Sequence, residues 1–115
     1  MFHECLSLES VYIPDSVTTI GHNAFADCHL LCDVVGYNGL ITIGSDAFRC
    51  TSLSNITLPA CLSTIGSDAF ANALNAINYK GTMAQWKTIS FGNIYDQISY
   101  VYCSDGTINV DEEDY

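Results

Sequence analysis

Basic residues are nearly missing from this chain: Arg49, Lys80 and Lys87 stand against 13 acids, a formal charge of −10 over 115 residues. Three cations cannot build the stripe that follows a phosphate backbone, so nucleic acid is excluded as a principal partner, and an anionic membrane surface with it. No apolar run approaches the roughly 18 uninterrupted residues of a spanning helix, so membrane insertion is not expected. No charged segment leading into an apolar one opens the chain, so no export signal is legible. A phosphate-cradling glycine loop, a Ser-His-Asp grouping and paired carboxylates in an apolar setting are also absent. No catalytic residue, metal ligand or cofactor site is therefore assigned, and the chain is read as not an enzyme.

What is present is apolar and periodic. Hydrophobic residues make up 49% and charged ones 14%, a balance that folds rather than staying disordered, in one small domain at most. Phe2, Phe25, Phe48 and Phe70 follow one another at intervals of 23, 23 and 22 residues. The last three close the same phrase: Ile20-Gly21-x-x-Ala24-Phe25, Ile43-Gly44-x-x-Ala47-Phe48 and Ile65-Gly66-x-x-Ala69-Phe70. Such a period reads as a solenoid, in which each coil hides its apolar residues by stacking on the next, with the phenylalanines in one internal column.

Within each coil, alternation at Val11-x-Ile13, Ile56-x-Leu58 and Ile77-x-Tyr79 predicts a short strand with one buried face, ended by Pro14 and Pro59 in two of the coils. The pairs Val17 and Ile20, Leu40 and Ile43, and Leu62 and Ile65 predict a second short extended segment. Gly21, Gly44 and Gly66 are expected at a backbone corner with positive φ. Asn23, Ser45 or Asp46, and Ser67 or Asp68 are expected to cap a single helical or 3₁₀ turn carrying Ala-Phe. That capping role explains Asp46 and Asp68 better than calcium between coils does.

Six cysteines suggest a disulfide framework, but Cys5, Cys28 and Cys50 recur in phase with the phenylalanines. In-phase cysteines are better explained as small buried hydrophobes; Cys32, Cys61 and Cys103 fall out of phase. Reduced thiols would suit an intracellular protein or one from an anaerobe. Cys28-His29-x-x-Cys32 has metal-like residue types but lacks a second pair, and is read as loop residues beside a buried thiol.

The repeat Leu8-x-x-Val11-x-Ile13-Pro14-x-x-Val17-x-x-Ile20-Gly21-x-x-Ala24-Phe25-x-x-Cys28 resembles the BspA-type leucine-rich repeat. The second coil departs from that pattern at Gly36, Tyr37 and Gly39. The resemblance implies an α/β fold: a right-handed leucine-rich-repeat solenoid of short parallel strands and single helical turns. Residues 1–79 are expected to hold the repeats, starting in mid-repeat, since Phe2-His3-Glu4-Cys5 already matches Phe25-Ala26-Asp27-Cys28. Residues 80–110 are expected to form a C-terminal cap. Its first part is a helix opened by the capping box Thr82-x-x-Gln85 and running to about Ser90, with Met83, Trp86 and Ile89 on one face. Its second is a hairpin turning at Ser104-Asp105-Gly106, whose tyrosines are expected to cover the helix. Residues 111–115 read as an acidic tail.

Family members include bacterial cell-surface and secreted proteins implicated in adhesion, so the resemblance implies a protein-binding, adhesin-like module within a longer bacterial protein. The alternative is a structural spacer with no ligand of its own. The open first coil leads us to expect either more repeats upstream or self-association through that coil. If Val11, Ile13 and their equivalents point inward, Tyr12, Val35, Thr57 and Asn78 form one outward column. Ser10, Asp33, Asn55 and Ala76 form its neighbour. Ser10, Tyr12, Asp33, Val35, Asn55, Thr57 and Asn78 are accordingly the candidate protein-binding residues.

Overall fold

The alternation that opens each coil does produce short strands, and the computed structural model shows how they stack. It describes residues 7–53, 56–73, 76–92 and 98–109. In chain order the elements are β1 (Ser10–Ile13), β2 (Thr19–Ile20), β3 (Asp33–Gly36), β4 (Thr42–Ile43), β5 (Thr57–Leu58), β6 (Thr64–Ile65), β7 (Ala76–Tyr79), α1 (Met83–Trp86), β8 (Ser90–Phe91), β9 (Tyr100–Cys103) and β10 (Gly106–Asn109). Phe2, Cys5, Asn55, Leu74 and the acidic tail lie outside the described residues.

The odd-numbered strands line one side of a β-solenoid. There β1 pairs with β3, and β5, β7 and β9 follow with β10 at the edge. The second side is the ladder β2-β4-β6-β8. Every pairing is parallel except that of β9 with β10. Identical phases meet in register: Val11 with Val34, Ile20 with Ile43, and Ile43 with Ile65.

The Ala-Phe arcs form the third side, and here the expectation of capped helical turns is corrected. Alternate amides leave the coil: Asn23, Phe25 and Asp27 donate to the carbonyls of Ser45, Ala47 and Arg49 at 3.0, 2.8 and 2.8 Å. The intervening Ala24 and Ala26 donate within the arc to Gly21 and Asn23. A helix would direct every amide within its own coil and forfeit this third ladder. The positive φ expected at the glycines falls instead at Asn23, Asp46 and Asp68, at 59°, 60° and 58°. Short polar side chains tolerate that region, so these residues are corner formers rather than caps. Gly44 and Gly66 answer a different need, close approach between coils. A Cβ on Gly44 would lie 2.6 Å from the His22 backbone nitrogen.

Phe25, Phe48 and Phe70 stack in the interior, flanked by Ile20, Ile43 and Ile65, all buried. The ladder between β3 and β5 is interrupted where the second coil departs from the repeat. Gly36 and Tyr37 turn through φ of 91° and 51°. The Tyr37 side chain then enters the gap, and its hydroxyl accepts the Thr57 N–H at 3.1 Å. A phenol thus replaces a strand carbonyl.

The capping box of α1 is present: Thr82 Oγ1 accepts from Gln85 N at 3.1 Å, and Gln85 Oε1 accepts from Thr82 N at 2.8 Å. Trp86 and Ile89 are buried, and Met83 packs beside them. The helix stops at Trp86, short of the expected Ser90, because Ser90 and Phe91 pair with Thr64 and Ile65 as another rung. Cys32, Cys50, Cys61 and Cys103 are free thiols. Cys28 is fully buried and Cys50 half-buried, whereas the out-of-phase Cys61 donates its thiol to the Leu40 carbonyl of the preceding coil at 3.3 Å.

Candidate functional site

Because the strands stack in register, alternation along each strand becomes columns across the sheet. The register sets Tyr12 beside Val35, Thr57 beside Asn78, and Asn78 beside Tyr102. The neighbouring column sets Ser10 beside Asp33, and Ala76 beside Tyr100. Ser10, Tyr12, Asp33 and Val35 are exposed, and Thr57 and Asn78 half-buried. The structure thus brings the candidate residues onto one outward surface, apart from Asn55, which lies outside the described residues.

Two residues on this surface, Tyr100 and Tyr102, depart from the sequence expectation. Tyr100 and Tyr102 do not cover the helix. They are 41% and 45% exposed, and their rings stack at 6.1 Å with planes within 12° of parallel. It is Val101, between them, that is buried, together with Ile98 and Ile108. The inversion follows from β9 joining β7 in parallel as a further rung, which fixes which side of the hairpin faces the core. Its signal was the alternation Tyr100-x-Tyr102, in phase with Ala76-x-Asn78.

The surface runs over five strands, about 19 Å at the usual ladder spacing. Large exposed side chains stand at both ends: Tyr12 at 66% and Val35 at 45% on one, Tyr100 and Tyr102 on the other. Thr57, Ala76 and Asn78 form a lower middle. Arg49 is 3.8 Å from Asp46 and Lys87 closes α1, whereas Lys80 follows β7 directly, its N–H donating to the Leu58 carbonyl and its side chain to Asn38, each at 3.0 Å. Asp33 is a charged member of the face, and Lys80, beside Asn38, is the cation at its edge among the described residues.

Beneath the face, burial raises the pKa of the Tyr37 phenol, an effect opposed by its bond from the Thr57 amide and reinforced by the Asp33 carboxylate. Burial likewise raises Tyr79, with smaller contributions from Cys103 and Cys61. Neither group is placed for proton transfer to a ligand on the face: one satisfies a strand amide and the other donates to the Ala60 carbonyl at 3.3 Å.

An apolar cavity of about 310 Å³ opens at the N-terminal end of the coil, lined by Val11, Ile13, Val17, Ile20, Ala24 and Phe25 among others. Among the described residues no three His, Cys, Asp or Glu side chains converge as a metal site, and no helix is long and apolar enough to cross a membrane.

A family model for the BspA type leucine-rich repeat region matches residues 1–113 in six copies. No curated protein and no solved structure gives a significant match. The match extends well past Tyr79, where the side-chain pattern fades, and agrees with the added rungs β8 and β9. Phe91 and Gly92 there take the places of Ile65 and Gly66, with Phe91 in register with Ile65. By that match and by its β-solenoid of parallel strands, this chain belongs to the BspA-type leucine-rich repeat family.

Proposed function

We propose that this chain is a protein-binding, adhesin-like module of a bacterial surface or secreted protein, and that it recognises its partner through the outward face of β1, β3, β5, β7 and β9. The observation that carries this reading is the exposure of Tyr12, Val35, Tyr100 and Tyr102 in shared columns. Exposed aromatics grouped on a rigid face are the side chains that anchor protein interfaces at low entropic cost. Repeat solenoids also generally act through an extended surface rather than a cleft. We read the region from α1 to β10 as the C-terminal cap: it extends both ladders by a rung and closes on α1 and β10, with Trp86, Ile98, Val101 and Ile108 buried. The face is small, so affinity should be modest, on the order of micromolar.

The test is retention of the purified chain, coupled to beads, on surfaces coated with host matrix or with bacterial cells. Tyr12→Ala and Thr57→Ala should each lower retention severalfold while leaving the thermal unfolding midpoint within a few degrees of the parent. Equal retention by parent and variants would favour a spacer. The apolar N-terminal cavity favours a second mode, self-association through the first coil. It predicts an apparent mass on a sizing column that rises with concentration.

A further inference from the structure

From the strand face we infer the class of its partner: a basic, arginine-bearing polypeptide segment lying across the strands, with guanidinium groups stacked on Tyr12 at one end and on the Tyr100–Tyr102 pair at the other. The inference rests on the proposal that this face is the recognition surface, and charge and shape take it further.

The chain carries −10, and of its three basic residues only Lys80, next after β7 and held by Asn38, borders the face. An acidic segment would meet Asp33 and the field of the whole chain with only Lys80 to offset them, whereas a cationic one gains from both. The anchors are tyrosines, whose ring faces attract a cation, and a planar guanidinium stacks on them better than a compact ammonium does. Tyr100 and Tyr102 stand with their rings nearly parallel, 6.1 Å apart between centroids, and both are open to solvent. The lower middle at Thr57 and Asn78 leaves room for a backbone and offers polar groups to it. About 19 Å between the end strands is the reach of roughly six extended residues, so the stacking arginines should lie about six positions apart.

The test is selection of random peptides displayed on phage against the purified, immobilised chain, followed by binding of synthetic versions measured by fluorescence anisotropy. Expected are clones enriched in arginine, with pairs about six apart. Their affinity should fall about tenfold on replacing arginine by neutral citrulline, less on replacing it by lysine. Tyr12→Ala and Tyr102→Ala should each cost about fivefold to tenfold, and Tyr12→Phe should retain most of the binding because the ring face remains. Selected peptides that need Tyr12 but lack arginine would leave the strand face as the binding surface and overturn the cationic partner. Peptides indifferent to both tyrosine substitutions would overturn both. So would arginine peptides released only by neutralising Asp111, Glu112, Glu113 and Asp114, since their attraction would lie in the terminal charges.

Discussion

Phe48 and Phe70 face one another with ring centroids 5.7 Å apart and planes within 2° of parallel. Phe25 continues the stack at 5.4 Å and 6°. The near-parallel geometry is imposed by the backbone, since flanking ladders hold successive coils in one register and leave the rings no freedom to turn edge-on. Phe48 has a neighbouring ring on both sides and is fully buried. Phe48→Ala should therefore destabilise the fold by about 3–5 kcal/mol, and Phe48→Leu by less. Urea unfolding followed by circular dichroism measures both; a loss below about 1 kcal/mol for alanine would mean that the stack is not a principal support.

Gly21 and Gly44 share a phase in the repeat but not an environment. A Cβ at Gly21 meets nothing within 4 Å, whereas at Gly44 it would press on the His22 backbone. Gly21→Ala should leave stability within about 0.5 kcal/mol of the parent, and Gly44→Ala should cost about 2 kcal/mol as coils are forced apart. Equal effects at the two sites, read from thermal or urea unfolding, would show that conformational freedom rather than spacing selects the glycine.

Tyr37 is the substitute acceptor for a broken ladder. Tyr37→Phe keeps the ring and removes the oxygen that accepts from the Thr57 amide. A partly buried N–H without an acceptor should cost about 1–2 kcal/mol. Hydrogen exchange at Thr57 should accelerate more than at Ile43 or Ile65 in the second ladder; unchanged exchange there would contradict the bridging role.

Alkaline pH should weaken the fold. Burial raises the pKa of Cys103 above 9.0 and those of Tyr37 and Tyr79 above 10.0. In each case the neutral form is favoured in the folded state. The associated stability is fully present below those ordinary values and is lost as pH rises through the higher folded ones. Unfolding free energy should thus change little on this account below pH 9.0 and fall beyond it. Tyr79→Phe should make the fall shallower; an unaltered slope would place its cause elsewhere.

The phenylalanine column and both short ladders were legible because they repeat in side-chain identity. Three features were not, each for a physical reason. Asn23, Asp46 and Asp68 suit a helix cap and a left-handed corner equally, so their residue types could not choose between them. The rung at β8 follows α1 and puts Phe91-Gly92 where earlier coils have Ile-Gly. Backbone pairing survives that change of side chain, but a pattern search does not. Alternation through Tyr100, Val101 and Tyr102 divided the hairpin into two sides without saying which faces the core; only the parallel pairing with β7 decides that. The outward alternation of the first strands was legible from Tyr12 and Val35, whereas that of Tyr100 and Tyr102 was not, for the same reason.

The most direct measurement is a nuclear magnetic resonance titration of the isotope-labelled chain with a short peptide bearing two arginines six positions apart. Shifts concentrated at Tyr12, Val35, Thr57, Asn78 and Tyr102 are predicted, with Asn23, Asp46 and Asp68 in the opposite arcs unmoved. Shifts confined to those arcs, or to the N-terminal cavity at Val17 and Phe25, would contradict a binding role for the strand face.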